Sequence, residues 1–118
     1  PSDNKLQVQI NRDVFQHALK RVALLADEKS KMVRFDIQSG NITLTTDTTE
    51  LGEAREEIAI SYSGEDVSVG LNAKYVLDVL NVMDDEEVIL NLKDEKSSCL
   101  ITSNADKDYQ SIVMPMRL

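Results

Sequence analysis

The fold is decided by a stretch in the middle of the chain, Val67-Ser68-Val69-Gly70-Leu71-Asn72-Ala73-Lys74-Tyr75-Val76-Leu77-Asp78-Val79-Leu80. Its first five residues favour a β-strand, and the apolar residues that follow recur at helical spacing. Asn72 stands at the N-cap position, where a side-chain oxygen can accept a hydrogen bond from a free amide of the first turn. The stretch therefore predicts a strand that leads directly into a helix. The predicted apolar stripe of this helix comprises Tyr75, Val76, Val79, Leu80 and Met83.

The same order of elements occurs near the start of the chain. Residues 6–10 alternate between polar and apolar, which predicts a half-buried strand. Asn11 is the expected N-cap of the helix that follows. The apolar stripe predicted for this first helix comprises Val14, Phe15, Ala18, Leu19, Val22 and Ala23. Strand and helix thus occur twice in the chain.

Each helix is followed by three predicted strands. These are residues 32–38, 42–45 and 57–62 in the first half and 88–92, 99–101 and 111–114 in the second. The chain therefore reads as two βαβββ halves, about 5–62 and 67–117, within a single domain of residues 1–118. This order predicts an α+β fold with two adjacent helices packed on antiparallel sheets.

The composition of the chain limits the classes of function that it can have. Hydrophobic residues make up 42% of the 118 residues but aromatic residues only 4%, so Val, Ile, Leu and Ala must build the core. The net charge of −8 argues against a typical basic nucleic-acid-binding domain, although a small basic face remains compatible with it. A single cysteine and the lack of a long apolar run favour a cytoplasmic protein with no membrane partner. The start at Pro1, without Met, suggests a piece of a longer chain.

The sequence offers no convincing catalytic or metal site. The one histidine, His17, lies on the polar face of the first helix with no nucleophile nearby, and Cys99 lies in an apolar strand. The acidic runs 53–57 and 84–87 lack the glycine-bearing spacing of a calcium loop. We therefore expect no enzymatic activity, no metal and no cofactor.

Two surface features carry more information. The face of the first helix turned away from its apolar stripe carries Asp13, Gln16, His17, Lys20, Arg21 and Leu24, and Lys74 lies on the polar face of the second helix. If the helices are neighbours, their cations share one surface; an ordinary solvent-facing helix is the plainer interpretation. A large apolar residue on a polar face, as Leu24 is, could mark a protein interface.

The last eight residues, Ser111-Ile112-Val113-Met114-Pro115-Met116-Arg117-Leu118, are apolar where chain ends are usually polar. Such an end is either tied into the fold or held as one wall of a binding groove. Methionine suits a groove because its flexible thioether adapts to different apolar partners.

Several of these segments together resemble the C-terminal domain of bacterial sliding clamps, the beta subunit of DNA polymerase III. The resemblance covers the whole chain. It rests on 26–29, 62–64, 72–81 and 113–118, of which the last two are specific. It implies a DNA-clamp-like domain from the last third of a subunit that closes as a ring-forming homodimer around duplex DNA. The family is non-catalytic and serves the DNA-directed DNA polymerase holoenzyme, a nucleotidyltransferase.

The resemblance also implies roles for individual residues. Positions matching the family's peptide-binding groove, which serves DNA polymerase, clamp loader and repair proteins through short linear motifs, are Asn72, Tyr75, Ser98, Ile112, Met114, Pro115, Met116 and Arg117. Positions facing DNA are Lys20, Arg21 and Lys74. Positions matching the dimer interface are Leu24, Leu25, Glu50, Glu53 and Glu56.

Two other classes of function remain open at this stage. A generic peptide-binding adaptor of the same α+β build, with no DNA role, would use the same apolar end. A small-molecule or metal-dependent enzyme is disfavoured because the sequence brings no convergent set of polar groups together.

Overall fold

The structure is a computed structural model that describes residues 6–46, 52–94, 98–103 and 109–116. The elements are β1 (Leu6–Asn11), α1 (Arg12–Ala23), β2 (Met32–Gln38), β3 (Asn41–Thr45), β4 (Arg55–Ala59), β5 (Val67–Asn72), α2 (Ala73–Asn81), β6 (Glu87–Leu92), β7 (Cys99–Ser103), β8 (Gln110–Val113) and β9 (Pro115–Met116). The α+β class and the helix and strand order of both halves are confirmed.

The strands form two antiparallel sheets that exchange strands between the halves. One sheet has the order β1-β6-β7-β8 and the other β4-β3-β2-β5-β9. Thus β1 pairs with β6 from the second half, and β5 pairs with β2 from the first. Helix α1 directly follows β1, which lies in the sheet built mainly from the second half. Helix α2 directly follows β5, which lies in the sheet built mainly from the first half. The two halves consequently share one core.

Both helices begin at the predicted asparagine caps. Asn11 Oδ1 accepts a hydrogen bond from the Val14 amide at 2.9 Å, and Asn72 Oδ1 accepts one from the Tyr75 amide at 3.2 Å. The two helices contact each other, as expected, and α1 also contacts β4. The N-caps and the helix pairing are confirmed.

The core between the sheets and helices is aliphatic, as the composition predicts. Phe15 from α1 and Phe35 from β2 meet edge to face, with ring centroids 6.1 Å apart. The largest fully buried side chains are otherwise Ile and Leu: Ile10, Leu19, Ile37, Ile42, Leu44, Leu71, Leu80, Leu90, Leu92 and Ile101. Burial of this surface is the main favourable term for the fold.

Two residues assigned to the helical apolar stripes are not in the core. Val14 and Tyr75 are both mostly exposed. Each is the third residue of its helix, in the first turn, at the edge of the predicted stripe. Gln16, expected on the exposed face, is instead buried. Its side chain lies toward α2, where Gln16 Nε2 donates a hydrogen bond to Asn81 Oδ1.

Two strand assignments also change. The fourth strand is Arg55–Ala59 rather than 57–62, because it pairs along β3 and the chain then turns toward β1. Ser61 makes only an isolated bridge with Gln9. The short strand β9 was not predicted. A proline inside an apolar run gives no sign that the chain leaves one sheet after β8 and joins the other at β9.

Candidate functional site

The C-terminal end is tied into the fold and still presents apolar side chains to solvent. In β8, Val113 pairs with Cys99, and two residues later in β9 Pro115 pairs with Leu71 of the other sheet. The chain therefore crosses from one sheet to the other at Met114. Because Met114 lies at this crossing, its side chain does not enter the shared core and remains 68% exposed.

Other apolar residues surround this crossing point. Ile112 is 66% exposed and Tyr75 is 57% exposed, while Pro115 and Met116 are half-buried. We call Tyr75, Ile112, Met114, Pro115 and Met116 the C-terminal patch. Large exposed hydrophobic side chains grouped in one region of a protein surface are typical of an interaction site.

The strand register and helix start bring the remaining predicted groove residues to the patch. Ser98 directly precedes Cys99, the partner of Val113, so it lies beside Met114. Asn72 directly follows Leu71, the partner of Pro115, and therefore lies on the other side of the crossing. Asn72 Nδ2 also donates to the Ser30 carbonyl at 3.2 Å, which fixes the start of α2. Arg117 lies outside the described residues.

The cations predicted to face DNA lie on the two contacting helices. Lys20 and Lys74 are exposed, on α1 and α2 respectively. Arg21 is exposed but paired: its Nε and Nη2 donate to Glu56 Oε2 and Oε1 at 3.0 and 2.9 Å. This hydrogen bonding lowers the pKa of Glu56 and raises that of Arg21. The positive charge of Arg21 is therefore largely balanced within the chain.

The Arg21–Glu56 pair joins a residue predicted to face DNA to a residue predicted at the dimer interface. Glu56 lies on β4, the edge strand of the five-stranded sheet, and Arg21 lies in the last turn of α1. Leu24, the C-cap of α1, is 79% exposed, and Leu25 next to it is half-buried. Glu53 is exposed just before β4, whereas Glu50 lies outside the described residues.

Sequence reasoning also missed a polar contact between the helices. Arg12 Nη1 donates to the Leu80 carbonyl at 2.9 Å and to Gln16 Oε1 at 3.3 Å. The Leu80 carbonyl also accepts a hydrogen bond from the Met83 amide at 3.3 Å, so Arg12 adds a second, charged donor at the C-terminal end of α2. The only available sign in the sequence was that Arg12 directly follows the N-cap Asn11. That position does not indicate which residue of the other helix Arg12 contacts.

The candidate catalytic residues have no reactive surroundings. Cys99 is fully buried, and burial raises the pKa of its thiol to about 12. His17 is exposed, and its Nδ1 lies 2.8 Å from the Asp13 carbonyl. Within the described residues no three His, Cys, Asp or Glu side chains group as a metal site. Neither α1 nor α2 has the length and hydropathy required to span a membrane.

Two antiparallel sheets that exchange strands between halves, together with two adjacent helices, define a domain of the DNA-clamp class. The profile of the family described as DNA polymerase III beta subunit, C-terminal domain, matches residues 1–117. A beta sliding clamp from Haemophilus influenzae is 36% identical over 111 residues, which are 94% of this chain and 30% of the relative. The chain belongs to the DNA polymerase III beta subunit family and matches its C-terminal domain.

Solved structures agree with this assignment. A sliding clamp from Pseudomonas aeruginosa matches with a TM-score of 0.96 at 34% identity, covering 100% of this chain and 32% of that one. A Caulobacter crescentus beta sliding clamp, with polyethylene glycol bound to its beta-motif tethering region, gives a TM-score of 0.94 at 34% identity and covers 100% and 31%.

The chain spans about a third of the length of these relatives. These relatives are sliding clamps, and the comparisons give no support to nucleotidyltransferase or transferase activity.

Proposed function

We propose that this chain is the third domain of a non-catalytic clamp subunit that encircles duplex DNA and tethers DNA polymerase to it. Family membership supports the clamp role, and the observation that carries the tethering role is the C-terminal patch. A clamp retains DNA because the ring is closed, so the domain needs no active site and little affinity for DNA. The subunit would act in the cytoplasm.

The proposed peptide groove comprises Asn72, Tyr75, Ser98, Ile112, Met114, Pro115, Met116 and Arg117. The described members of this set lie around the Met114 crossing, where apolar side chains are exposed without loss to the core. The Caulobacter crescentus clamp, in which polyethylene glycol is bound to a region named for beta-motif tethering, supports a peptide-docking role for the family by analogy. The occupants would be short linear motifs of DNA polymerase, the clamp loader and repair proteins.

The proposed DNA-facing residues are Lys20, Arg21 and Lys74. Loose, sequence-independent contacts with phosphates suit a protein that slides, and such contacts weaken with salt. Since Glu56 holds the guanidinium of Arg21, the two lysines would make the main contribution. The remaining acidic surface would repel DNA from the outside of the ring.

The proposed ring-closure surface comprises Leu24, Leu25, Glu50, Glu53 and Glu56. It combines an exposed leucine with the edge strand β4, whose outer edge has no strand partner among the described residues. An apolar contact flanked by acidic residues suits a partner surface of opposite charge on the next subunit of a homodimer. Since that surface lies on a different domain, the 118-residue chain alone is expected to sediment as a monomer.

The groove assignment is tested by Met114→Ala in the complete subunit, measured by calorimetry with a short Gln-Leu-rich peptide ending in phenylalanine. We expect affinity to fall about tenfold, since an apolar contact is lost while the fold is unaffected. Val82→Ala is the matched control, because Val82 is also 68% exposed but lies at the end of α2. Equal peptide affinity for both variants would contradict the groove.

The clamp role is tested by retention of the complete subunit on DNA after it has been loaded on a circle. We expect retention on circular duplex and release when the circle is cut. A protein that binds the peptide but is retained on neither form would be the adaptor alternative, without a DNA role.

A further inference from the structure

The outward face of the sheet β1-β6-β7-β8 continues the C-terminal patch. Ile112 of β8 pairs with Leu100 of β7, and both side chains lie on the face opposite the core. Ile89 of β6 pairs with Thr102 of β7 and is therefore a diagonal neighbour of Leu100 on the same face. Leu100 and Ile89 are half-buried, so an apolar strip extends from Met114 and Ile112 across three strands.

The same face is almost free of charge, in a chain of which 29% is charged. Its outward-facing strand residues are Gln7, Gln9, Asn11, Glu87, Ile89, Asn91, Leu100, Thr102, Gln110 and Ile112. The outward face of the other sheet contrasts with it, since it carries Arg34, Asp36, Arg55 and Glu57. An apolar strip rimmed by uncharged polar groups is typical of the centre of a binding surface.

The polar groups beside the strip already have partners within the sheet. Gln7 Nε2 donates to Asn91 Oδ1 at 3.1 Å, and Asn91 Nδ2 donates to the Leu100 carbonyl at 2.9 Å and to Thr102 Oγ1 at 3.1 Å. Gln9 Nε2 donates to Glu87 Oε1 at 2.5 Å. A partner that covered this face would therefore leave few hydrogen-bond donors or acceptors without a partner, which keeps the desolvation cost of binding low.

We infer that Leu100 and Ile89 form a second apolar subsite that binds the segment flanking the docking motif in the same partner chain. This inference rests on the proposed groove, with which the strip is continuous through Ile112. The low charge of the face favours an uncharged, apolar flanking segment over an acidic or basic one. Partners that share one motif would then differ in affinity according to the residues beside it.

The test uses the complete subunit and calorimetry with one short peptide and four extended versions of it. The first probe is the short Gln-Leu-rich peptide ending in phenylalanine. The others carry three added leucines, or three added serines as a length control, at either the amino or the carboxyl end. We expect one leucine extension to bind about tenfold more tightly than its serine counterpart.

Variants on the face decide whether the strip causes that gain. Leu100→Thr, which keeps a strand-forming residue, should remove the gain and leave affinity for the short peptide within about twofold. Leu100→Met should retain the gain, and Gln38→Thr on the other sheet should change neither affinity.

Two results would overturn the inference. One is an equal affinity for leucine and serine extensions at both ends; the other is a gain that survives in the Leu100→Thr, Ile89→Thr double variant. Failure of the short peptide itself to bind would remove the proposed groove, and the second subsite with it.

Discussion

Met114 and Cys99 show how position in the fold decides what a sulfur-containing side chain can do. Cys99 pairs with Val113 and faces the core. Met114, which directly follows Val113, lies at the crossing between the sheets and faces solvent. The thiol is thereby shielded from solvent, and the thioether is exposed to it. One step along the chain, from Val113 to Met114, separates a buried side chain from an exposed one.

Cys99 is expected to resist alkylation in the folded protein. Burial raises the pKa of Cys99 to about 12, so the thiol stays protonated at pH 8, and the thiolate is the reactive form. Iodoacetamide labelling followed by mass spectrometry should be at least about a hundredfold slower than for the same chain in denaturant. Equal labelling rates in both conditions would show that Cys99 is accessible.

At the scale of secondary structure, polar contacts set how the helices meet each other and the sheet edge. Arg12 connects the start of α1 to the end of α2, and Arg21 connects the end of α1 to β4. Both arginines thus act between elements. The first contact is half-buried and the second exposed, so they differ in their expected effect on stability.

Arg12→Ala is expected to lower the free energy of unfolding by about 1–3 kcal/mol, because the Leu80 carbonyl and Gln16 lose a charged donor. Urea denaturation measures the effect. Arg34→Ala is the matched control, since Arg34 pairs with Asp36 two residues away on its own strand and is exposed, and a change within about 0.5 kcal/mol is expected. Similar losses for both variants would contradict a specific helix contact.

The Arg21–Glu56 pair is expected to make stability depend on pH. Because the folded-state pKa of Glu56 is lowered from 4.5, its contribution is present above pH 4.5 and is lost as pH falls through the folded value. Wild type should therefore exceed Glu56→Gln in stability by more at pH 7 than at pH 3, by a small amount since the pair is exposed.

Denaturation curves at the two pH values measure this difference. Glu57→Gln is the control, because Glu57 is on the same strand but lies 3.9 Å from its partner Arg55. A wild-type advantage over Glu56→Gln that is unchanged between pH 3 and pH 7 would show that the carboxylate does not carry the contact.

At the scale of the whole molecule, the exchange of β1 and β5 makes the two halves interdependent. Val8 and Ile10 of β1 pair with Leu90 and Val88 of β6, and the five-stranded sheet needs β5 between β2 and β9. The repeated order of helices and strands therefore does not correspond to two independent folding units.

Neither half, residues 1–64 or 65–118, is expected to fold when expressed alone, because each would expose strand edges and half of the shared core. Circular dichroism and amide exchange of the separate halves should show little stable structure, and mixing them should restore it. A cooperative unfolding transition in either half alone would contradict the interdependence.

The amount that could be predicted from sequence differed between fold and surface. Strand alternation, helical spacing and the asparagine caps are local patterns, so β1, α1, β5 and α2 were predicted nearly to the residue. Gln16 was expected on an exposed face and is buried, and the pairing of Arg21 with Glu56 was not predicted. Their environment depends on which elements pack together, and sequence spacing within one helix does not contain that information.

The sequence by itself determined the order of elements, the two caps, the aliphatic core and the resemblance to a clamp domain, because each rests on patterns within a short window. Only the tertiary structure decided that β1 and β5 change sheets, that the chain crosses between sheets at Met114, and that Arg21 is held by Glu56. These features depend on contacts between residues far apart in the chain, which form only when the whole core assembles.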